Sequence, residues 1–478
     1  MVLDPEARVL ASAGREFPQS YPQDGWVEHQ PEDIWQSVHD AALEALRRAG
    51  VRAADCLGIG ITNQRETTLL WERESGRPIH PAIVWQDRRS AEACEKLKRE
   101  GHEAEIRQRT GLLLDPYFSA TKIAWMLDEL PGCRERAEAG ALCFGTVDSY
   151  LLWRLSGGRV HATDPSNAAR TLLYDLHLGA FSPALAQRFR VPMALLPELR
   201  DTAGLFGHTQ GAGFVPDGIP IAAMAGDQSA ALFGQTCFRP GEAKCTYGTG
   251  AFLLVNTGEK AVLSKKGLLT SVAWSVGGRP MFFLEGSAFI AGAAIQWLRD
   301  GLGLIRDAAE VEALAAQVPD AGGLSFVPAL VGLGAPYWDP NARGLLTGIT
   351  RDTQAAHVAR AVLEGVALQI TDLSRAMQSD WELGLQRLRV DGGAARNDLL
   401  MQFQADVCDL VIDRPLCIET TALGAAYLAG LGLGVFRNLE HIREKHRIEK
   451  TFSPAMDAAQ REAHLQRWSK AVAKSLSD

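Results

Sequence analysis

At roughly 150 residues per domain, a chain of 478 residues gives about three units, read more naturally as two large domains or as two small and one large. With 46% hydrophobic and 22% charged residues it can bury substantial cores, which excludes collagen, coiled coil and disorder along its length. Lys and Arg number 49 against 57 Asp and Glu, a net charge of −8 with no clustered basic stretch, and this argues against nucleic acid as a partner.

The eight cysteines (Cys56, Cys94, Cys133, Cys143, Cys237, Cys245, Cys408 and Cys417) form no CxxC and have no zinc spacing to histidine. Reduced thiols in a cytoplasmic protein are the expectation. The opening Met1-Val-Leu-Asp-Pro-Glu-Ala-Arg8 lacks the basic and long apolar regions of a signal peptide.

In chain order, Ile34, Trp35, Val38, Ala42 and Leu46 recur at helical spacing between Pro31, a good first helical residue, and Gly50, a good terminator. The run Cys56-Leu-Gly-Ile-Gly-Ile-Thr62 predicts a strand covered on both faces, as in a parallel sheet. Pro220 to Gly226 predicts a second strand, followed by a helix opening near Gln228-Ser229. The Gly-rich stretch Gly322 to Gly334 reads as an internal loop before a long helical pattern, Gln354 to Met377. Arg387 to Val390 predicts another strand, followed by a helix from Asn397 to Cys408. Thr421 to Phe436 is apolar but short for a bilayer span and rich in glycine, so a buried helix is expected. The alternation is α/β, and the balance of units puts a domain boundary near Cys237, giving 1–236 and 237–478.

Neither GxxxxGK[ST] nor GxGxxG occurs. A phosphate site, if present, falls to Cys245-Thr-Tyr-Gly-Thr-Gly-Ala251, where Gly248-Thr249-Gly250 makes a tight turn with bare amides and a hydroxyl. Taken alone, that turn is more often a plain hairpin. Asp227 follows a buried strand and precedes a helix, a position for a base or metal ligand, although a lone aspartate there is more often an N-cap. In Thr62-Asn-Gln-Arg65-Glu66-Thr67 the Arg-Glu pair could grip a small polyol or form an ordinary surface ion pair on a solvated turn. Trp85, Tyr117 and Phe252 could wall a carbon skeleton, each being individually more at home in a core. Asp391-Gly-Gly-Ala-Ala-Arg-Asn397 joins strand to helix through two glycines, so a nucleotide could approach its backbone closely.

Two longer patterns bring these segments together. One is Tyr117-Phe-Ser-Ala-Thr-Lys122-Ile-Ala-Trp125-Met-Leu-Asp-Glu129, and the other runs from Gly344-Leu-Leu-Thr-Gly-Ile349 through His357-Val358 to Glu364. In this order, over essentially its whole length, the chain resembles the FGGY family of carbohydrate kinases. The resemblance implies two actin-like (ribonuclease H-like) α/β domains around a central cleft, the first on the glycerol side and the second on the nucleotide side. It implies phosphoryl transfer from ATP with Mg²⁺ to glycerol, in a cytoplasmic homo-oligomer, dimer or tetramer. By the same resemblance Arg65, Glu66, Trp85, Tyr117, Asp227, Gln228 and Phe252 surround glycerol. Asp227 would be the base and a possible magnesium ligand. Thr249 and Gly250 would meet the phosphates, and Gly292, Gln296, Gly393 and Asn397 the nucleotide.

The pattern is departed from at one place. Family members open with a strand and an Asp-x-Gly-Thr-Thr phosphate turn, whereas Met1 to Leu10 matches the strand after it. The expectation is a missing strand and turn of about 15 to 20 residues, as a misplaced start codon would produce. Two rival readings follow: a kinase for another polyol or ketose, and a non-catalytic nucleotide-binding homologue. Asp201 to Gly226 holds no Arg or Lys, so the feedback by fructose 1,6-bisphosphate seen in some bacterial members is expected to be absent.

Overall fold

The computed structural model describes residues 1–381 and 384–477 of the chain. The N-terminal half begins with an antiparallel pair, β1 (Val2–Leu3) and β2 (Val9–Ala11). Helix α1 (Pro31–Ala49) starts at the proline and is closed by Gly50 in the left-handed region, φ 65°. Burial of its Ile34, Trp35 and Leu46 is worth about 1.5–3 kcal/mol per large side chain, so one apolar stripe fixes its face.

Strand β3 (Ile59–Asn63) is shorter than the apolar run that predicts it. Cys56 to Gly58 lie outside the strand, and Leu57 is 59% exposed, so coverage on both faces is reached only toward Ile61 and Asn63. Helix α2 (Ser119–Glu129) carries the first of the two long sequence patterns. Strands β4 (Ala203–His208) and β5 (Pro220–Gly226) complete a three-stranded sheet in which β5 is central, antiparallel to β4 and parallel to β3. Strand β5 leads directly into helix α3 (Asp227–Gly234).

In the C-terminal half, β6 (Glu242–Tyr247) and β7 (Ala251–Gly258) form a hairpin across Gly248-Thr249-Gly250. Strands β8 (Leu269–Val276) and β9 (Arg279–Ala288) extend it on the β7 side. Helix α4 (Gly292–Asp300) follows, then the 26-residue α5 (Ala355–Asp380), whose Val362, Val366, Ile370 and Leu373 sit in the core of this half. The Gly-rich loop before α5 holds one short strand, Ser325–Val327. On the other side of β6 lie β10 (Arg387–Asp391), after which helix α6 (Asp398–Cys408) runs, and β11 (Ile412–Pro415). Helix α7 (Thr420–Gly432) and the edge strand β12 (Ile448–Phe452) complete the half. The seven strands run β8-β9-β7-β6-β10-β11-β12, antiparallel from β8 to β6 and parallel from β6 to β11.

The halves meet backbone to backbone. A Cβ on Gly424 of α7 would lie 1.8 Å from the Ala230 carbonyl oxygen of α3, and one on Gly60 of β3 would lie 2.2 Å from that of Ala425. Only glycine permits this approach. The apolar run that includes α7 is therefore a buried helix, and no helix among the described residues is long and apolar enough to cross a membrane.

Candidate functional site

Arg65 and Glu66 lie just past the carboxyl end of β3, after one intervening residue, where open α/β sheets place ligands. They do not form a solvated surface pair, since each is only 2% exposed. Glu66 has φ +60°, a left-handed conformation disfavoured for a side chain of this size. It is held by α2: Ser119 Oγ and Lys122 Nζ each donate to the Glu66 carbonyl at 3.2 Å, and Lys122 also donates to the Tyr117 carbonyl at 2.6 Å. One buried amine thus ties together two segments that each carry a predicted site residue. Burial pushes the Lys122 ammonium down to about 8, against the pull of Glu66.

Two buried residues outside the sequence prediction join this pair. Arg170 Nε donates to Glu66 Oε1 at 2.5 Å and its Nη2 to Glu285 Oε1 at 3.0 Å, while Arg65 Nη1 donates to Glu285 Oε2 at 2.8 Å. Burial alone would raise the Glu285 carboxyl, but Arg170 and Arg65 hold it below its ordinary value. At Glu66 the balance is reversed: burial outweighs the same two arginines and raises it. Arg65 Nη2 and Glu66 Oε2 bond no described side chain, which leaves one charged donor and one charged acceptor unengaged.

Asp227 is the first residue of α3, with Gly226 as the N-cap, so the capping alternative does not hold. It is 33% exposed on its side chain and lies 2.9 Å from Arg65 Nε, close enough for charge pairing without a directed hydrogen bond. Gln228 is buried, and its Oε1 accepts from Lys244 Nζ, which also donates to Thr246 Oγ1 at 2.7 Å. The amide is thereby oriented with Nε2 as its free end. Lys244 is itself fully buried, and desolvation lowers its pKa. Trp85 and Tyr117 pack edge to face with ring centroids 5.6 Å apart, and the antiparallel bridge Thr68–Ile83 brings Trp85 back toward Glu66. Phe252 is half-buried, packs against the apolar core shared by α3 and α7, and lies on the same face of the large sheet as Lys244 and Glu285 by strand register.

The predicted phosphate residues form a second group. The Ala291 and Ala293 amides donate to the Thr249 carbonyl at 2.8 and 3.0 Å, and that of Gly292 donates to the Gly248 carbonyl at 2.9 Å, so α4 begins on the turn. Gly250 is needed for space: a Cβ there would lie 2.6 Å from the Ala288 carbonyl oxygen. Thr249 stays exposed, as does Gln296 one turn into α4. Gly392, at φ +84°, would place a Cβ 2.5 Å from the Tyr247 carbonyl oxygen, which seats the β10–α6 turn, with exposed Gly393, beside the phosphate turn. Asn397 is the N-cap of α6, its Oδ1 accepting from the Leu400 amide at 2.8 Å, and its Nδ2 remains for a ligand.

Among the described residues no group of three or more His, Cys, Asp or Glu could hold a metal ion. Mg²⁺ commonly takes one or two protein carboxylates and fills its shell with phosphate oxygens and water. A single partly exposed Asp227 therefore fits a magnesium that arrives with a nucleotide.

Arg170, Glu285 and Lys244 were missed because no local motif contains them. A signal was nevertheless present. Glu285 in Met281-Phe-Phe-Leu-Glu285 and Lys244 in Ala243-Lys-Cys245 are charges inside apolar strands, which need buried partners.

Two α/β halves that meet at a ring of buried charges, with a glycine turn at the end of the central strand, are the arrangement expected of a nucleotide-dependent transferase of the actin-like fold. Residues 1–234 match the N-terminal domain of the FGGY family of carbohydrate kinases, and residues 243–433 its C-terminal domain. The chain belongs to this family. It is 55% identical over 476 residues to the glycerol kinase of Alkalilimnicola ehrlichii, covering 99% of this chain and 95% of that protein. Identity to the glycerol kinase of Myxococcus xanthus is 54%, covering 99% and 96%. Among solved structures, Plasmodium falciparum glycerol kinase with ADP aligns at a TM-score of 0.93 and 35% identity, over 100% of this chain and 95% of that one. Xylulose kinase from Lactobacillus acidophilus shares the fold at a TM-score of 0.87 and 19% identity, covering 99% and 94%.

Proposed function

We propose that this chain transfers the γ-phosphoryl group of ATP to a terminal hydroxyl of glycerol, giving sn-glycerol 3-phosphate and ADP. The observation that carries this reading is the buried Arg65–Glu66 pair, with one free donor and one free acceptor, beside the partly exposed carboxylate of Asp227. Arg65, Glu66 and Gln228 hold hydroxyls of the triol by charge-assisted and amide hydrogen bonds. Trp85, Tyr117 and Phe252 face its carbons. Asp227 orients the attacking hydroxyl and takes its proton late, because a carboxylate is too weak a base to remove it before bonding to phosphorus develops. Positioning and charge neutralisation dominate such transfers. Thr249 and Gly250 receive the phosphates, and Gly292, Gln296, Gly393 and Asn397 the rest of the nucleotide. Asp227 would hold a Mg²⁺ that comes with ATP, and the ion would supply counter-charge to the phosphates.

Support for glycerol over a ketose comes from the relatives named glycerol kinase at 54–55% identity, against 19% for a xylulose kinase of the same fold. The same reading divides the chain into 1–236 and 237–478 and includes a cytoplasmic homodimer or homotetramer. A coupled ADP-release assay with glycerol, xylulose and gluconate tests it. Turnover with glycerol at a kcat/KM at least tenfold above the others is expected. Preference for either other substrate, or ATP binding without turnover of any, contradicts it.

A further inference from the structure

The buried charges between the halves form a closed ring. Arg65 meets Glu285 at 2.8 Å, Glu285 meets Arg170 at 3.0 Å, Arg170 meets Glu66 at 2.5 Å, and Glu66 returns to Arg65 at 3.9 Å. Charges alternate around it, the sum is zero, and no member is more than 2% exposed. Both of its outer members are fixed by their surroundings. Arg170 lies two residues beyond the short helix Pro165–Ala168, with its amide on the Asn167 carbonyl, and its guanidinium lies 5.5 and 5.2 Å from the Tyr117 and Phe118 rings. Glu285 sits within β9, between Leu254 of β7 and Leu269 of β8 in the sheet. Arg65 and Glu66, by contrast, are long side chains on a loop. Arg65 gives Nη1 and Nε to the ring and keeps Nη2, and Glu66 gives Oε1 and keeps Oε2.

We infer that Arg170 and Glu285 are positioning residues for the glycerol end of the reaction. They hold the Arg65 guanidinium and the Glu66 carboxylate in the rotamers that present Nη2 and Oε2 to adjacent hydroxyls. Three ring members come from the N-terminal half and Glu285 alone from the C-terminal sheet, so the substrate site on one half is set from the other. Without Glu285, Arg65 loses its strongest anchor and is left to Glu66 and Asp227 alone, so that its Nη1 and Nη2 are no longer held in place. The inference rests on the proposed glycerol kinase reading.

The test is a double-mutant cycle read in both Michaelis constants and in melting temperature. Glu285→Gln is expected to raise the glycerol KM about 10²-fold, the cost typical of a small misplacement in a substrate site, while the ATP KM stays within about twofold. In an Arg65→Met background the same change is expected to raise the glycerol KM less than about threefold, because Glu285 acts through Arg65. Where a single neutralisation leaves too little folded protein, Arg170→Met with Glu285→Gln removes one charge of each sign, keeps the remainder balanced, and is expected to show the same split. A lowered melting temperature with glycerol KM within about twofold, equal rises in both constants, or effects that simply multiply across the cycle overturn the inference. Failure of the parental chain to phosphorylate glycerol would instead overturn the functional reading beneath it.

Discussion

The two halves share a mixed sheet plan but close it differently. In the C-terminal half β6 stands at the centre, antiparallel to β7 on one side and parallel to β10 on the other, so seven strands form one ladder. In the N-terminal half the β1–β2 pair is a sheet of its own, and among the described residues β3 pairs only with β5. Cohesion there is carried less by the ladder than by packing, with α7 laid against β3 and α3 through glycine contacts. The candidate site residues divide the same way. The continuous sheet ends in a backbone device, the Gly248-Thr249-Gly250 turn seated on α4. The divided sheet ends in side chains, Arg65, Glu66 and Asp227, whose placement depends on partners far away in sequence.

If that division holds, each half can be broken separately. Arg65→Ala or Glu66→Ala should raise the glycerol KM by about two orders of magnitude with little change for ATP, since each removes a charged hydrogen-bond partner worth about 1.5–3 kcal/mol and disturbs the ring. A larger change in ATP KM would invert the assignment of the halves. Gly250→Ala should do the reverse. Its Cβ would meet the Ala288 and Phe289 carbonyl oxygens at 2.6 and 2.9 Å, displacing the turn, so the ATP KM should rise about tenfold and the glycerol KM should hold.

A pH series sharpens the comparison on the N-terminal side. Lys122 is pushed down to about 8 in the folded chain from an ordinary 10.5. Between those values the unfolded chain binds more protons at this group, so its contribution to stability rises with pH across that window. The melting temperature of the parental chain should therefore gain on that of Lys122→Met from about pH 8 upward. A constant difference would remove the buried ammonium from the account. The smallest expected effect is none: fructose 1,6-bisphosphate at millimolar levels should not inhibit. The Asp201 to Gly226 segment contains no Arg or Lys, and its loop is closed by Asp217 accepting from the Gly211 amide at 2.7 Å. Clear inhibition would place an anion site elsewhere.

Local chemistry made much of this legible in the sequence. Pro31 and Gly50 bracket α1 where predicted, Pro220 to Gly226 is β5 residue for residue, and Gly248-Thr249-Gly250 is the turn between two strands. The Arg65–Glu66 pair was balanced between a surface turn and a site because the deciding fact, its burial, depends on Arg170 and Glu285, 104 and 220 residues onward in the chain. Hydrophobic periodicity reports an element's own faces and says nothing of which distant charge will meet it. The strand read from Cys56 began late for a related reason: an apolar run marks what can be covered, and Leu57 is left mostly exposed.

The central claim is that Asp227 serves the transfer step while its neighbours hold the substrate. Asp227→Asn keeps the shape of the side chain and removes its capacity to accept the proton, so single-turnover transfer at saturating ATP and glycerol measures that step alone. The account predicts a rate lower by about 10²- to 10⁴-fold, with glycerol still binding by calorimetry. A variant that transfers at close to the parental rate would contradict it.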